Sequence, residues 1–400
     1  GYLHTGIRRL WYQHEVVLGA MNGRMPVTGA MLIMDSIRLT FLDDRQEIMR
    51  SLPPVDEEFL TQLEELFPSY RDRYSVSILD ITPGKEVRYA EREPMIGYQP
   101  GSVGKLAVLA ALFCELENIY VDCYDDRWML MRTKVVPAGQ WAVYDHHTVP
   151  FFDTEKRNFY KRQVAPTDEM TLYEWVDHMV SVSNNGAASV LWREVILMRV
   201  FQQDYPELTT EEAEEYFRKT DRRELMDLAT DVVSCPLRAL GITSDEWRLG
   251  QMFTRGATGR IPGQGGSIGT TRGLMKFLLA LENGRVIDHK SDLEMKRLMY
   301  ATDRRIRYAS SSVLDSAAVY FKSGSLYGCS PSLPGSCGEY AGNKMNYMNS
   351  VAIVEQPDGT KYIVVLMTNV LSKNSAWDHR RLAAEIDAML RPEEEQESAG

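Results

Sequence analysis

The sequence predicts an α/β (α+β) fold in which one antiparallel sheet, built from both chain ends and flanked by helices, is joined to a mainly helical lobe. Alternation of apolar and polar residues appears early, from Tyr74 to Leu79 and Glu86 to Tyr89. Strand character returns only late, at Ala317 to Phe321, Tyr347 to Val354 and Tyr362 to Met367. Between these regions, residues 119 to 300 carry mostly helical patterns. Strands so distant in sequence bury their apolar faces by meeting in one sheet, and a cleft is expected between that sheet and the helical middle.

Taken in order, residues 1 to 50 mix apolar and charged segments without a clear period and are read as an N-terminal extension packed on the main body. From Pro53 to Phe67, Phe59, Leu60, Leu63 and Leu66 share one helical face. Asp56, Glu57 and Glu58 suit the first turn of that surface helix, where the dipole favours negative charge. The first two strands form a hairpin around Pro83-Gly84, and a long apolar helix follows Pro100-Gly101. Thr209 and Glu212 have capping-box spacing. Asp358-Gly359 turns between the last two strands, and a final helix from Ser375 to Leu390 puts Leu382, Ala383, Ile386 and Leu390 on one face. Pro392 to Gly400 is a charged, disordered tail. The main domain is therefore 51–391, with a sheet lobe at about 51–100 and 301–391 and a helical lobe at about 101–300.

With 400 residues, 44% of them hydrophobic, the chain can bury a full core. Lys plus Arg number 45 against 56 Asp plus Glu, for a net charge of -11, and no long basic stretch offers a face to nucleic acid. The most apolar early stretch, Val16 to Met34, is broken by Asn22, Arg24 and Pro26, so no spanning helix is expected. The chain opens on Gly1 rather than Met, as a processed or trimmed chain does, and the lack of a visible signal peptide decides nothing. Five cysteines show no metal-ligand spacing. Cys329 and Cys337 are candidates to clip a loop, because the surrounding Pro, Gly and Ser favour a tight excursion; otherwise they are two ordinary thiols.

Three short motifs carry chemistry. Ser102-Val103-Gly104-Lys105 opens the apolar helix, and a spacing of three puts Ser102 and Lys105 on one helical face. A serine hydroxyl needs a neighbour to take its proton, and a lysine in a partly buried, cation-crowded site is neutral enough to do so. A chain of this length contains about one Ser-x-x-Lys by chance, so this motif alone proves nothing. Ser183-Asn184-Asn185 connects two apolar helical patterns; it supplies a proton-relaying hydroxyl and an amide for a carbonyl or the lysine, or simply caps a helix. Lys322-Ser323-Gly324-Ser325 ends a predicted strand, with Gly324 giving a ligand close backbone approach and Lys322 a fixed charge for an anionic substrate. The backbone N–H groups of Ser325 and Ser102 are candidates for an oxyanion hole.

In this order and context the motifs resemble those of the class A β-lactamases and related penicillin-binding proteins: Ser-x-x-Lys, Ser-x-Asn and Lys-Thr/Ser-Gly. The segment from Met170 to Ala188 resembles the family's lead into its second motif, and the closing strands and helix resemble its C-terminal elements, so about Leu60 to Leu390 is covered. The resemblance implies Ser102 as nucleophile, Lys105 as activating base and Ser183 as proton relay. It implies that Asn185 grips the substrate amide, Lys322 supports the relay and Ser323 binds the substrate carboxylate. It further implies a β-lactam or D-alanyl peptide as substrate, no cofactor or metal, and an exported, periplasmic or extracellular protein. One departure stands out. The family's deacylating glutamate falls on Thr254 or Phe253, depending on the anchor, and the nearest acids are Asp245 and Glu246. Efficient β-lactam hydrolysis is therefore in doubt, which favours a D-alanyl-D-alanine carboxypeptidase-like member or one deacylated by another group.

Other readings are weaker. Gly265-Gly266-Ser267-Ile268-Gly269 matches the Gly-x-Ser-x-Gly elbow, with His379 as a distant base, but its polar, glycine-rich surroundings lack the strand and helix that motif needs. Asp145-His146-His147 suggests a metal, yet adjacent histidines are expected to point apart and no third ligand stands out, so these are read as surface residues. Trp141 and Tyr144 are candidates for the cleft rim or plain packing. A catalytically silent binding or scaffold protein is the alternative from a different class.

Overall fold

The computed structural model describes residues 1–41, 49–67 and 73–391. Its sheet comprises β1 (Tyr74–Asp80), β2 (Arg88–Arg92), β3 (Ala318–Gly328), β4 (Met345–Glu355) and β5 (Lys361–Asn369). They lie side by side, all antiparallel, in the order β2-β1-β5-β4-β3. The two chain ends join where β1 pairs β5, from Tyr74 opposite Thr368 to Asp80 opposite Tyr362. The period-2 alternation of these strands sorts their side chains between two cores. Val76, Ile78, Val364 and Leu366 pack with Phe59, Leu63, Leu382 and Ile386, whereas Leu79, Ile363 and Val365 pack towards the helical lobe. Gly359, at φ 95°, makes the tight turn between β4 and β5.

β3 differs from its expected extent. It does not end at Lys322 but runs to Gly328, so the third motif sits inside a strand. Its pairing with β4 along the whole length outweighs the poor strand propensity of Gly324.

The main helices are α1 (Lys105–Ile119), α2 (Leu172–Val180), α3 (Asn185–Phe201), α4 (Arg222–Ala239), α5 (Thr271–Glu282), α6 (His289–Tyr300) and α7 (Ala376–Leu390). α1 is apolar all round and forms the axis of the helical lobe, packed by α2, α3 and α4. α5 lies on β1 and β5, and α6 on β3, so two helices expected in the helical lobe cover the sheet instead. α7 and the helix Glu57–Glu65 cover its other face, the latter capped by Asp56. The Thr209–Glu212 capping box is formed.

Two β-ribbons interrupt the stretch expected to be mostly helical: Val135–Pro137 with Glu169–Thr171, and Thr148–Asp153 with Asn158–Gln163. The second pairs Phe151 with Tyr160 and Phe152 with Phe159, cross-strand aromatic pairs that suit a hairpin.

The N-terminal residues have a defined seat. In the helix Arg8–Val17, buried Arg9 makes a bidentate contact with Asp177 of α2 at 2.6 and 2.8 Å, and Arg8 reaches Glu174 at 2.6 Å. They clamp the helix that leads into the Ser183 motif. Cys329 and Cys337 are disulfide-bonded, while Cys114, Cys123 and Cys235 are free thiols. No described helix is long and apolar enough to cross a membrane. The expected tail, residues 392–400, lies outside the described residues.

Candidate active site

The turn Gly101–Gly104 delivers Ser102 to the start of α1 and leans on the outer edge of β3. Gly101 holds φ 54° and donates its N–H to Gln99 Oε1 at 2.8 Å, and Asn349 of β4 ties down the Gln99 carbonyl at 2.9 Å. The approach is so close that a Cβ on Gly324 would lie 2.8 Å from Ser102 N, and one on Gly101 would lie 2.7 Å from Ser325 N. Glycine is required on both sides of this contact.

Lys105 is the hub. Its fully buried Nζ lies 2.9 Å from Ser102 Oγ, 2.6 Å from the Ser183 carbonyl, 2.8 Å from Asn185 Oδ1 and 3.4 Å from Ser183 Oγ. Lys322, also buried, donates to Ser183 Oγ at 2.7 Å. One hydrogen-bonded network therefore joins Ser102, Lys105, Ser183, Asn185 and Lys322, and Ser323, Gly324 and Ser325 line the same cleft. The helix cap that the second motif also suggested falls to Asn184, whose Oδ1 accepts from Ala187 N at 2.6 Å. Ser183 sits in the left-handed region at φ 65°, a conformation uncommon for a non-glycine residue.

Burial is the main cause that lowers the Lys105 amine to about 7; Asp145 pulls it back up and Arg304 adds to the depression. Lys322 is held well below the ordinary lysine value by burial and by the cations Lys105, Arg304 and Arg307.

The cleft encloses about 380 Å³ and is also lined by His146 and His147 and by Arg304 and Arg307, the two arginines being residues to which no motif pointed. Arg307 donates to the Gly324 carbonyl at 2.7 Å and to Ser325 Oγ at 2.9 Å. Burial pushes its guanidinium down to about 10. Arg307 sits at φ 55°, and no periodicity in the sequence singles it out.

The reading of Asp145-His146-His147 as surface residues holds for His146, which is exposed, and is corrected for Asp145. The Asp145 side chain is 2% exposed and accepts from the N–H groups of Asn185 and Gly186 at 2.7 and 3.1 Å and from His147 Nδ1 at 2.5 Å. Burial opposes its charge, but the His147 hydrogen bond and charge outweigh this and leave the carboxyl at about 2. The two histidines do not point apart: their rings stack with centroids 4.5 Å apart. Neither Trp141 nor Tyr144 lines the cleft; Trp141 is fully buried and Tyr144 is exposed.

The loop facing Ser102 carries no carboxylate into the cleft. Leu249, Gln251, Met252 and Phe253 line it there. Thr254 instead caps the helix Arg255–Arg260 and donates to the Trp141 carbonyl at 2.6 Å. Glu246 is buried and bonded to Lys276 at 2.6 Å and to Thr243 N at 2.9 Å, while the Asp245 side chain is 90% exposed. Among the described residues lining the cleft, the one carboxylate is Glu339. The elbow reading also fails. His379 is buried against Ser350 and Thr368 at 3.0 and 3.2 Å, away from Ser267, and burial lowers its imidazole to about 3.

A model described as the beta-lactamase enzyme family matches residues 58–386. The chain belongs to that family. Its solved neighbours agree in fold. TLA-3 extended-spectrum beta-lactamase is 14% identical at TM-score 0.55, with 84% of this chain and 99% of that one covered. A beta-lactamase from Chitinophaga pinensis DSM 2588 is 14% identical at TM-score 0.52 over 83% and 99%. The beta-lactamase from Sphaerobacter thermophilus DSM 20745 is 16% identical at TM-score 0.51 over 84% and 98%. No curated protein sequence matches the chain. As a beta-lactamase-family member the chain has a serine-hydrolase-like fold, and the five-residue network sits at the junction of its sheet and its helical lobe.

Proposed function

We propose that the protein is an acyl-transfer enzyme in which Ser102 forms a covalent acyl-enzyme on an amide of an anionic substrate, either a β-lactam or a D-alanyl peptide. The observation that carries this reading is the 2.9 Å contact between Ser102 Oγ and an amine lowered to about 7. In its neutral form Lys105 takes the Ser102 proton as Oγ bonds the carbonyl carbon. The N–H groups of Ser102 and Ser325 stabilise the resulting oxyanion. The proton then passes through Ser183 to the leaving nitrogen, the C–N bond breaks, and Lys322, donating to Ser183 Oγ at 2.7 Å, orients that relay. Asn185 holds Lys105 through its oxygen and offers its NH₂ to the substrate carbonyl. Ser323, beside the cations Arg304 and Arg307, suits the substrate carboxylate.

The missing loop carboxylate favours a peptidase-like reaction, or hydrolysis by a route outside that loop. The Cys329–Cys337 bridge supports an exported location, since disulfides persist in oxidising compartments. The test measures penicillin hydrolysis and D-alanine release from a D-alanyl-D-alanine peptide, each against Ser102→Ala. Either activity, lost in the variant, supports acyl transfer. Activity with neither, and no adduct from either, rejects it.

A further inference from the structure

The acyl-enzyme chemistry above ends on an ester that water must cleave, and no carboxylate on the loop facing Ser102 is free to activate that water. A different pair of residues borders the same cleft. His147 lines it with its side chain 26% exposed, so water reaches the ring, while its partner Asp145 is buried. A carboxylate only accepts, so the 2.5 Å contact fixes the proton on Nδ1. In the neutral ring Nε2 therefore carries the free lone pair, on the edge away from Asp145.

The pair is built into the site rather than attached to the surface. Asp145 also accepts from His147 N at 3.1 Å and from the first N–H groups of α3, and the Asn184 side chain donates to the His147 carbonyl at 3.2 Å. His147 Nδ1 lies 3.5 Å from Nδ2 of Asn185, whose oxygen holds Lys105 and, through it, Ser102. The His146 ring, stacked at 4.5 Å, closes the other face.

We propose that His147, oriented by Asp145, is the general base that activates water to clear the Ser102 acyl-enzyme. This rests on the acyl-transfer reading. Nε2 takes one proton from a water whose oxygen bonds the acyl carbon, giving a tetrahedral oxyanion held by the Ser102 and Ser325 N–H groups. Collapse breaks the carbon–Oγ bond, Ser102 Oγ takes a proton from Lys105 Nζ at 2.9 Å, Lys105 recovers a proton from solvent as the imidazolium releases one there, and the acid leaves; water is consumed and no other reactant is needed.

The experiment follows the full chain by intact mass after mixing with penicillin, comparing wild type, His147→Gln and His147→Ala, with and without added imidazole. A general base contributes about 10²- to 10⁴-fold. The expected result is an adduct that forms at the wild-type rate in both variants, clears about a hundred-fold or more slowly, and clears faster in His147→Ala when imidazole is supplied. Unchanged acylation shows that the variants are folded. Adducts that clear at the wild-type rate, or slow clearing without imidazole rescue, overturn the role of His147 and leave acyl transfer standing. Absence of both adduct and hydrolysis in wild type overturns acyl transfer and the base assignment together.

Discussion

Replacing Lys105 by arginine keeps a cation in the same pocket and removes the property that acylation asks of it. An ordinary lysine at 10.5 offers only about one neutral amine in three thousand at pH 7, whereas one lowered to about 7 offers half. Burial therefore raises the supply of free base about a thousand-fold. The lowered value belongs to a cation, so the competent neutral form dominates above pH 7 and is lost as pH falls. Acylation should drop tenfold for each pH unit below the midpoint, to about 1% of its plateau near pH 5. A guanidinium does not deprotonate in this range, so Lys105→Arg should lower acylation by about 10²- to 10⁴-fold at all these pH values. Single-turnover acylation by a chromogenic β-lactam, measured from about pH 5 to 9, reads both effects. A flat profile, or an arginine variant within tenfold of wild type, would refute the assignment of Lys105 as base.

Asp145 raises the Lys105 value, so Asp145→Asn should move the acid limb of the same profile to lower pH; a shift upwards contradicts the electrostatic role. Arg307→Met should raise KM for a carboxylate-bearing substrate by about ten-fold or more while changing kcat less, since the removed cation lines the cleft with Ser323, the proposed carboxylate site; steady-state kinetics separates the two. Gly324→Ala should abolish acylation, because the new methyl meets the backbone at Pro100 and Ser102; intact-mass labelling checks it. Buried Lys296 bonds Glu282 at 2.7 Å and Glu355 at 2.8 Å, so Lys296→Met strands a buried carboxylate and should cost about 3–5 kcal/mol, read by denaturant unfolding.

The parts of the site that are legible in the sequence are those whose chemistry is packed into consecutive residues. Ser102 and Lys105 share a helical face, Ser183 and Asn185 flank a helix start, and Lys322 to Ser325 are contiguous, so spacing alone suggests what the fold joins. The sheet was legible for a similar reason: alternation over Tyr74 to Leu79 and the short apolar runs of the late strands, such as Tyr362 to Met367, are local patterns. Asp145 and Arg307 were not, because their roles arise only when distant loops meet α3 and β3. The extension of β3 past Lys322 was hidden because pairing with β4, not local propensity, decides where the strand ends. The N-terminal residues looked patternless because their anchors follow no period: the charged Arg8 and Arg9 bind α2, while the apolar Ile7, Ile37 and Phe41 are buried in the main core at irregular spacing.

The most direct test of the account is the intact mass of the protein and of its Ser102→Ala variant after mixing with penicillin. A penicilloyl adduct, transient or lasting, on wild type and absent from the variant is the predicted result. An adduct that persists in Ser102→Ala, or no adduct and no hydrolysed drug with wild type, contradicts Ser102 as the acylated nucleophile.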